Sequence, residues 1–119
     1  MYNDIIAEHF MNPRNIGELE HPDERISIGN PICGDTIHLG VAFKDGRIAD
    51  MKYKAYGCAT SIATVSVFSE FAIGKSVSEI RKTSSEDMEA MLGELEPNQM
   101  HCLDILSELF QSLGTVKEV

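Results

Sequence analysis

Residues 36 to 55 constrain this chain more tightly than any other stretch. Ile37, Leu39, Val41 and Phe43 alternate with Thr36, His38, Gly40 and Ala42. Successive side chains of an extended strand point to opposite faces, so this spacing predicts a half-buried strand. Asp45-Gly46 follows, a pair that accepts the positive backbone angles of a two-residue type I′ hairpin turn. The return segment puts Ala49, Met51, Tyr53 and Ala55 on one face and Asp50, Lys52 and Lys54 on the other. A hairpin with one apolar and one charged face must be covered on one side only. A short run around Ile26 and Ile28 supplies a third strand.

The cover is helical. Asp4 is expected to cap a helix running to about Met11, with Ile5, Ile6 and Phe10 on one side. Asn12-Pro13 stops it, because the residue before proline avoids the helical region. Residues 14 to 24 read as an irregular connection. After Gly57, the residues Ile62, Val65, Phe68 and Ala72 recur at helical intervals as far as Gly74. Ser76-x-x-Glu79 and Thr83-x-x-Glu86 are two capping-box patterns that open short helices, the second ending at Gly93. Beyond Pro97 a stripe of Cys102, Ile105, Leu106, Leu109, Phe110 and Leu113 predicts a last helix ending at Gly114. Met88, Met91 and Met100 follow helical spacing and read as core. The expected class is α+β, a three-stranded antiparallel sheet with helices packed on one face and a metal site at one end. A chain of 119 residues can bury about two-thirds of its extended surface, so residues 1–119 are expected to form one domain.

Charge narrows the partners. Ten Lys and Arg stand against 19 Asp and Glu, a net charge of −9 at neutral pH. Phosphate backbones are held by Lys and Arg, so the balance argues against nucleic acid and against an anionic membrane surface. It favours a basic or metal-bearing partner. No apolar run is long enough to span a bilayer. The first residues show no basic segment leading into a long apolar one, so no export signal is visible and a cytoplasmic address is expected. Three cysteines in a reducing compartment do not suggest a disulfide framework. They are left for metal, catalysis or packing.

Each cysteine falls at a junction. Cys33 sits in the turn Asn30-Pro-Ile-Cys-Gly-Asp35, Cys58 where strand passes into helix, and Cys102 in the first turns of the last helix. Loop ends and helix N-termini stabilise thiolate, the form that ligates metal or attacks sulfur. The intervals between the cysteines match no zinc-finger or ferredoxin spacing. Gly34 and Gly57 beside two of them free the backbone to expose the thiols, which packing would not require. Asp35 follows Cys33 by two, so on an extended segment both side chains point the same way; the alternative is a turn-capping carboxylate. His101 adjoins Cys102 and is either a ligand or a half-exposed helical residue. Adjacent helical residues point about 100° apart, so His101 is poorly aimed at Cys102. His9, His21 and His38 read as structural or solvated.

Taken together, His9-Phe-Met-Asn-Pro-Arg-Asn-Ile-Gly17, Gly29-Asn-Pro-Ile-Cys-Gly-Asp35, Gly57-Cys-Ala-Thr-Ser-Ile-Ala63 and His101-Cys102 resemble the IscU/NifU-type iron–sulfur cluster assembly scaffold family. The resemblance implies that Cys33, Cys58 and Cys102 are cluster or iron ligands. It makes Asp35 the aspartate associated with cluster lability and His101 a neighbouring alternative ligand. It also implies a scaffold rather than an enzyme. Cys102 would accept persulfide sulfur from a cysteine desulfurase, and a ferredoxin-like donor would reduce it to sulfide. A labile [2Fe–2S] cluster would pass to recipient apo-proteins, with a homodimer as one form of the loaded state. Three soft ligands and one harder one suit assembly followed by release. The alternative is a zinc-bound sulfur acceptor of the SufU type, with zinc held in the cluster-free form; no long insertion separates Cys58 from Cys102, unlike that relative. A thiol enzyme using Cys58 or Cys102 with His101 as base is a third reading. The family often carries Leu-Pro-Pro-Val-Lys before the last cysteine, a segment read by an Hsp70-type chaperone. Here Leu95-Glu-Pro-Asn-Gln99 stands in its place, which argues against that partner.

Overall fold

The structure is a computed structural model that describes residues 3–30 and 35–116. Its order is α1 (Asp4–Met11), β1 (Glu24–Asn30), β2 (Asp35–Lys44), β3 (Arg47–Tyr56), α2 (Ala59–Ala72), α3 (Val77–Arg81), α4 (Ser85–Leu92), a 3₁₀ turn (Pro97–Gln99) and α5 (His101–Gly114). The strands form one antiparallel sheet in the order β1-β2-β3. The expected α+β architecture is therefore present. Ile26, Ile28, Ile37, Leu39, Val41, Met51 and Tyr53 are buried on one face under the helices. Asp45 and Gly46 take φ of 54° and 77°, the paired positive angles that the type I′ turn requires.

One strand face differs from simple alternation. The register between β2 and β3 shifts at Ala42/Phe43, so Ile48 is buried while Ala49 is exposed. A bulge inserts an odd residue and moves everything on its far side to the other face.

α2 is the central helix. Its buried residues include Ala63, Val65, Phe68 and Ala72, but also Thr60, Ser61, Thr64, Ser66 and Ser69. The expected one-sided apolar stripe is replaced by burial on nearly every side, with the Ser66 and Ser69 hydroxyls turned toward α1 and the connection that follows it. His9 Nδ1 meets Ser66 Oγ at 2.8 Å, and the Arg14 N–H donates to the same oxygen at 2.9 Å. Asn15 Nδ2 donates to Ser69 Oγ at 3.0 Å. Asn15 and Gly17 then pair with the backbone of Tyr53 along the outer edge of β3. Arg14 reaches Glu8 at 3.1 Å and Glu70 at 3.3 Å. The segment from His9 to Gly17 thus fastens α1 to α2 and β3. Burial first, and then the nearby Arg14 charge, hold the His9 imidazole below its ordinary pKa.

Several helix ends depart from expectation. Asn3, not Asp4, caps α1, its side-chain oxygen accepting from the Ile6 N–H at 2.8 Å. Ile6 and His9 are the buried members of α1, whereas Ile5 and Phe10 are exposed. Ser76 caps α3 as expected, but the cap of α4 falls one residue later than expected, at Ser84 with Asp87 rather than at Thr83. Thr83 instead donates its hydroxyl to the Glu79 carbonyl. Met88 and Met91 pack against the core, while Met100 is exposed. The predicted α5 stripe is buried from Cys102 to Leu113, where Phe110 sits edge-on to Phe68 with centroids 5.0 Å apart.

Asn3 also donates from Nδ2 to the carbonyls of Leu92 and Glu94, both at 2.7 Å, so one side chain ties the start of α1 to the end of α4. Asn3→Ala loses a cap and both ties. Chemical denaturation of the metal-free protein is expected to show a loss of about 2–3 kcal/mol.

Candidate metal-binding site

Two chain junctions meet at one end of the sheet. Asn30 pairs with Asp35 at the close of β1 and opening of β2, and Thr36 pairs with Tyr56 at the end of β3. β3 then runs through Gly57, at φ 153°, into Cys58, the N-cap of α2. A glycine there lets the chain leave the strand and aim the next residue outward. Cys33 lies outside the described residues. Its described neighbours, Asn30 and Asp35, bracket the sheet end from which Cys58 emerges.

Cys58 is exposed, and its sulfur is ringed by donors. Thr60 Oγ1 lies 3.0 Å from Sγ, Ser61 Oγ 3.1 Å and His101 Nε2 3.3 Å. Partial burial pushes the thiol up. Hydrogen bonds from the Ser61 and Thr60 hydroxyls, the His101 imidazole and the Ser61 backbone N–H outweigh it, lowering the pKa from 9.0 to about 7. Hydrogen bonds to the anion favour the anion, and a helix N-terminus supports them. A large share of Cys58 is therefore thiolate at neutral pH. The role of Thr60 and Ser61 is not apparent from the sequence motif alone; its signal is hydroxyl side chains two and three residues past a cysteine at a helix start.

α5 brings His101 across to this sulfur. Cys102, the next residue, is fully buried beside Ile105, Leu106 and Leu109 in the core stripe. The expected 100° divergence of neighbouring helical residues is realised, and the imidazole serves Cys58 instead of Cys102. The structure therefore joins Cys58 to His101 and holds Cys102 away from the surface. Among the described residues no group of three His, Cys, Asp or Glu side chains is poised to hold a metal ion. A thiolate and an imidazole 3.3 Å apart are soft and borderline donors, which suit iron or zinc better than calcium or magnesium. No described helix is long and apolar enough to cross a membrane.

The 3₁₀ turn before α5 explains the departure noted at residues 95 to 99. Glu96 and Gln99 cap each other, with the Glu96 N–H donating to Gln99 Oε1 at 3.2 Å, and Gln99 is buried. Gln99 is a structural residue of this turn, which presents no cation at that position.

Comparison with known proteins gives the family and the fold. Residues 1–113 match the family described as NifU-like N terminal domain. The iron-sulfur cluster assembly scaffold protein IscU 1 of Archaeoglobus fulgidus is 40% identical over 108 residues, covering 91% of this chain and 71% of that protein. The protein named iron-sulfur cluster assembly scaffold protein IscU in Escherichia coli K12 is 37% identical over 111 residues, covering 90% and 85%. Among solved structures, a NifU-like protein of Brucella abortus superposes with a TM-score of 0.65 at 23% identity, covering 94% of this chain and 79% of that one; it speaks to the fold. A putative scaffold protein for the SUF system from Fervidobacterium islandicum gives 0.65 at 25% identity, covering 97% and 89%.

Alkylation of the metal-free protein by iodoacetamide tests the thiol chemistry. The rate at Cys58 is expected to rise with pH through a midpoint near 7, because only the thiolate reacts. The midpoint should move up in Thr60→Val and His101→Ala. Cys102 should react slowly until denaturant is added.

Proposed function

This chain belongs to the NifU-like N-terminal domain family, and from that premise we propose that it is a scaffold on which iron–sulfur clusters are assembled and from which they are released. The observation that carries the reading is the exposed Cys58 sulfur beside His101, in a chain at least 37% identical over most of its length to proteins named as scaffolds. Residues 1–119 act as one scaffold domain. The cluster is cargo, so the ligands must bind iron and then yield it.

Cys33, Cys58 and Cys102 are the thiolate ligands of the proposal, and Asp35 or His101 is the harder fourth. Thr60 and Ser61 hold Cys58 as thiolate, so iron binding there displaces little proton. Sulfur arrives as the outer sulfur of a persulfide on a cysteine desulfurase. A scaffold thiolate attacks that sulfur, the S–S bond breaks, and the desulfurase thiolate leaves. Cys102 is the proposed acceptor. Its burial attaches a condition, because the first turn of α5 must open before the sulfur can attack. An electron donor such as a ferredoxin then reduces the persulfide to sulfide, and a [2Fe–2S] cluster forms for recipient apo-proteins. The scaffold itself turns over no small substrate and is not an enzyme in this reading. An odd number of cysteines, three, suits a cytoplasmic setting. The turn at residues 97 to 99, with Gln99 buried, offers no lysine for an Hsp70-type chaperone.

A zinc-bound sulfur acceptor is the second reading, favoured by one observation: a cysteine sulfur and an imidazole already converge, which is half of a tetrahedral zinc site. Anaerobic reconstitution with ferrous iron, a sulfide source and reductant separates the two. The visible absorbance of a [2Fe–2S] centre is expected in the parent and lost in Cys33→Ser and Cys58→Ser. A colourless protein that retains one zinc and accepts sulfur fully would favour the second reading. Asp35→Ala is expected to give a longer-lived cluster, read as slower decay of that absorbance. Persulfide mapped by mass spectrometry is expected on Cys102, and persulfide found only on Cys58 would move the acceptor role there.

A further inference from the structure

The solvent face of the sheet carries a groove that the cluster reading does not use. It is a cavity of about 300 Å³ between the sheet and the chain segment from Gly17 to Pro22. The strand register builds its floor in rows. Arg25, Gly40 and Lys52 lie side by side across β1, β2 and β3, and Ser27, His38 and Lys54 form the next row. Residues in one row project from one face, and neighbouring strands are about 4.8 Å apart, so Arg25 and Lys52 stand roughly 10 Å apart at their Cα atoms. Gly40 between them has no side chain. Pro22 Cβ would lie 3.4 Å from a Cβ there and Leu19 Cβ 3.8 Å, so glycine is what lets the overlying segment close one wall of the groove.

The charge of this groove opposes that of the chain. Three of the ten Lys and Arg residues line it, on a protein of net charge −9. Among the described residues Glu18 is the only carboxylate in the lining, and it pairs with Lys54 at 3.1 Å. Arg25 and Lys52 make no ion pair among the described residues, although carboxylates outnumber cations nearly two to one in the sequence. His38 stands in the next row, between Ser27 and Lys54, with Nδ1 3.0 Å from Ser27 Oγ. Tyr56 closes the end of the groove two residues before Cys58. Like charges held on one concave face repel each other unless an anion sits among them, and low-dielectric walls concentrate that attraction.

We propose that this groove binds a small polyanion carrying two or more phosphate or carboxylate groups, with Arg25 and Lys52 as the principal contacts. The guanidinium of Arg25 offers the paired donors that fit an oxyanion edge, and Lys52 supplies a second point of charge. A cavity of about 300 Å³ is at the lower end of small-ligand sites. It admits an organic polyanion, whereas a docked acidic protein would need the open sheet around it. The site is independent of the cluster ligands, so it stands or falls apart from the scaffold reading.

Calorimetric titration of the metal-free protein with pyrophosphate and, separately, with citrate tests the proposal. Low ionic strength is used, since salt screens such contacts. Binding in the submillimolar range is expected, roughly tenfold weaker or worse in Arg25→Gln/Lys52→Gln. Both residues point to solvent or the groove, and an unchanged circular dichroism spectrum would verify folding of the variant. Amide shifts on titration are expected at His38, Gly40 and Lys54. Binding of pyrophosphate alone, citrate alone or both supports the site and identifies the oxyanion it takes. The proposal is overturned if neither anion binds, if the double variant binds equally well, if the shifts centre on Cys58 and His101, or if an acidic peptide binds the groove while both small anions fail.

Discussion

The burial of α2 is the constraint on which the rest of the structure depends. A helix enclosed by the sheet, α1 and α5 cannot rotate without exposing Val65 and Phe68 or stranding Ser66 and Ser69 away from their partners. Buried hydroxyls are costly when unpaired, so the polar side of α2 is as restrictive as its apolar side. The N-terminus of α2 is then set against the end of the sheet, and Cys58 is set with it. α5 packs on the same helix through Phe110 against Phe68, and that contact carries His101 to within 3.3 Å of Cys58. The chemistry at the rim is thus held in place by packing in the middle.

Consecutive residues at the start of α5 divide two tasks. His101 turns toward the Cys58 thiolate and Cys102 turns into the core. Helical geometry allows no other outcome while α5 stays wound, because neighbours differ by about 100° in direction. For a scaffold this has a consequence: drawing Cys102 into cargo binding requires the helix to loosen where it begins. Met100, the residue before α5, is exposed, and the N-cap of α5 has no side-chain hydrogen bond, unlike those of α1, α3 and α4. The two faces of the sheet divide tasks as well. One is apolar and buried under helices, and the other carries Arg25, Lys52 and Lys54, of which Lys54 is paired with Glu18.

Much of the architecture was legible because it is written in local period. The alternation from Thr36 to Phe43, the Asp45-Gly46 turn and the stripe from Cys102 to Leu113 each encode geometry within a few residues. The misses share a cause. Asn3 rather than Asp4 caps α1 because its amide also finds carbonyls on a helix end some ninety residues away. Ile48 replaced Ala49 in the core because a bulge, invisible in the alternation, shifted the register. The hydroxyl-rich side of α2 reads as solvated in isolation, and only the docking of His9, Arg14 and Asn15 shows that it is interior.

The sequence by itself determined the α+β class, the hairpin and its turn, and the junction on which Cys58 sits, since these follow from side-chain period and backbone preference over short distances. The pairing of Cys58 with His101 and the burial of Cys102 were decided only in three dimensions. So was the cationic row through Arg25, Gly40 and Lys52. These features depend on which helix rests against which, and on strand register. Both are settled by the packing of one core, to which residues far apart in the chain contribute together.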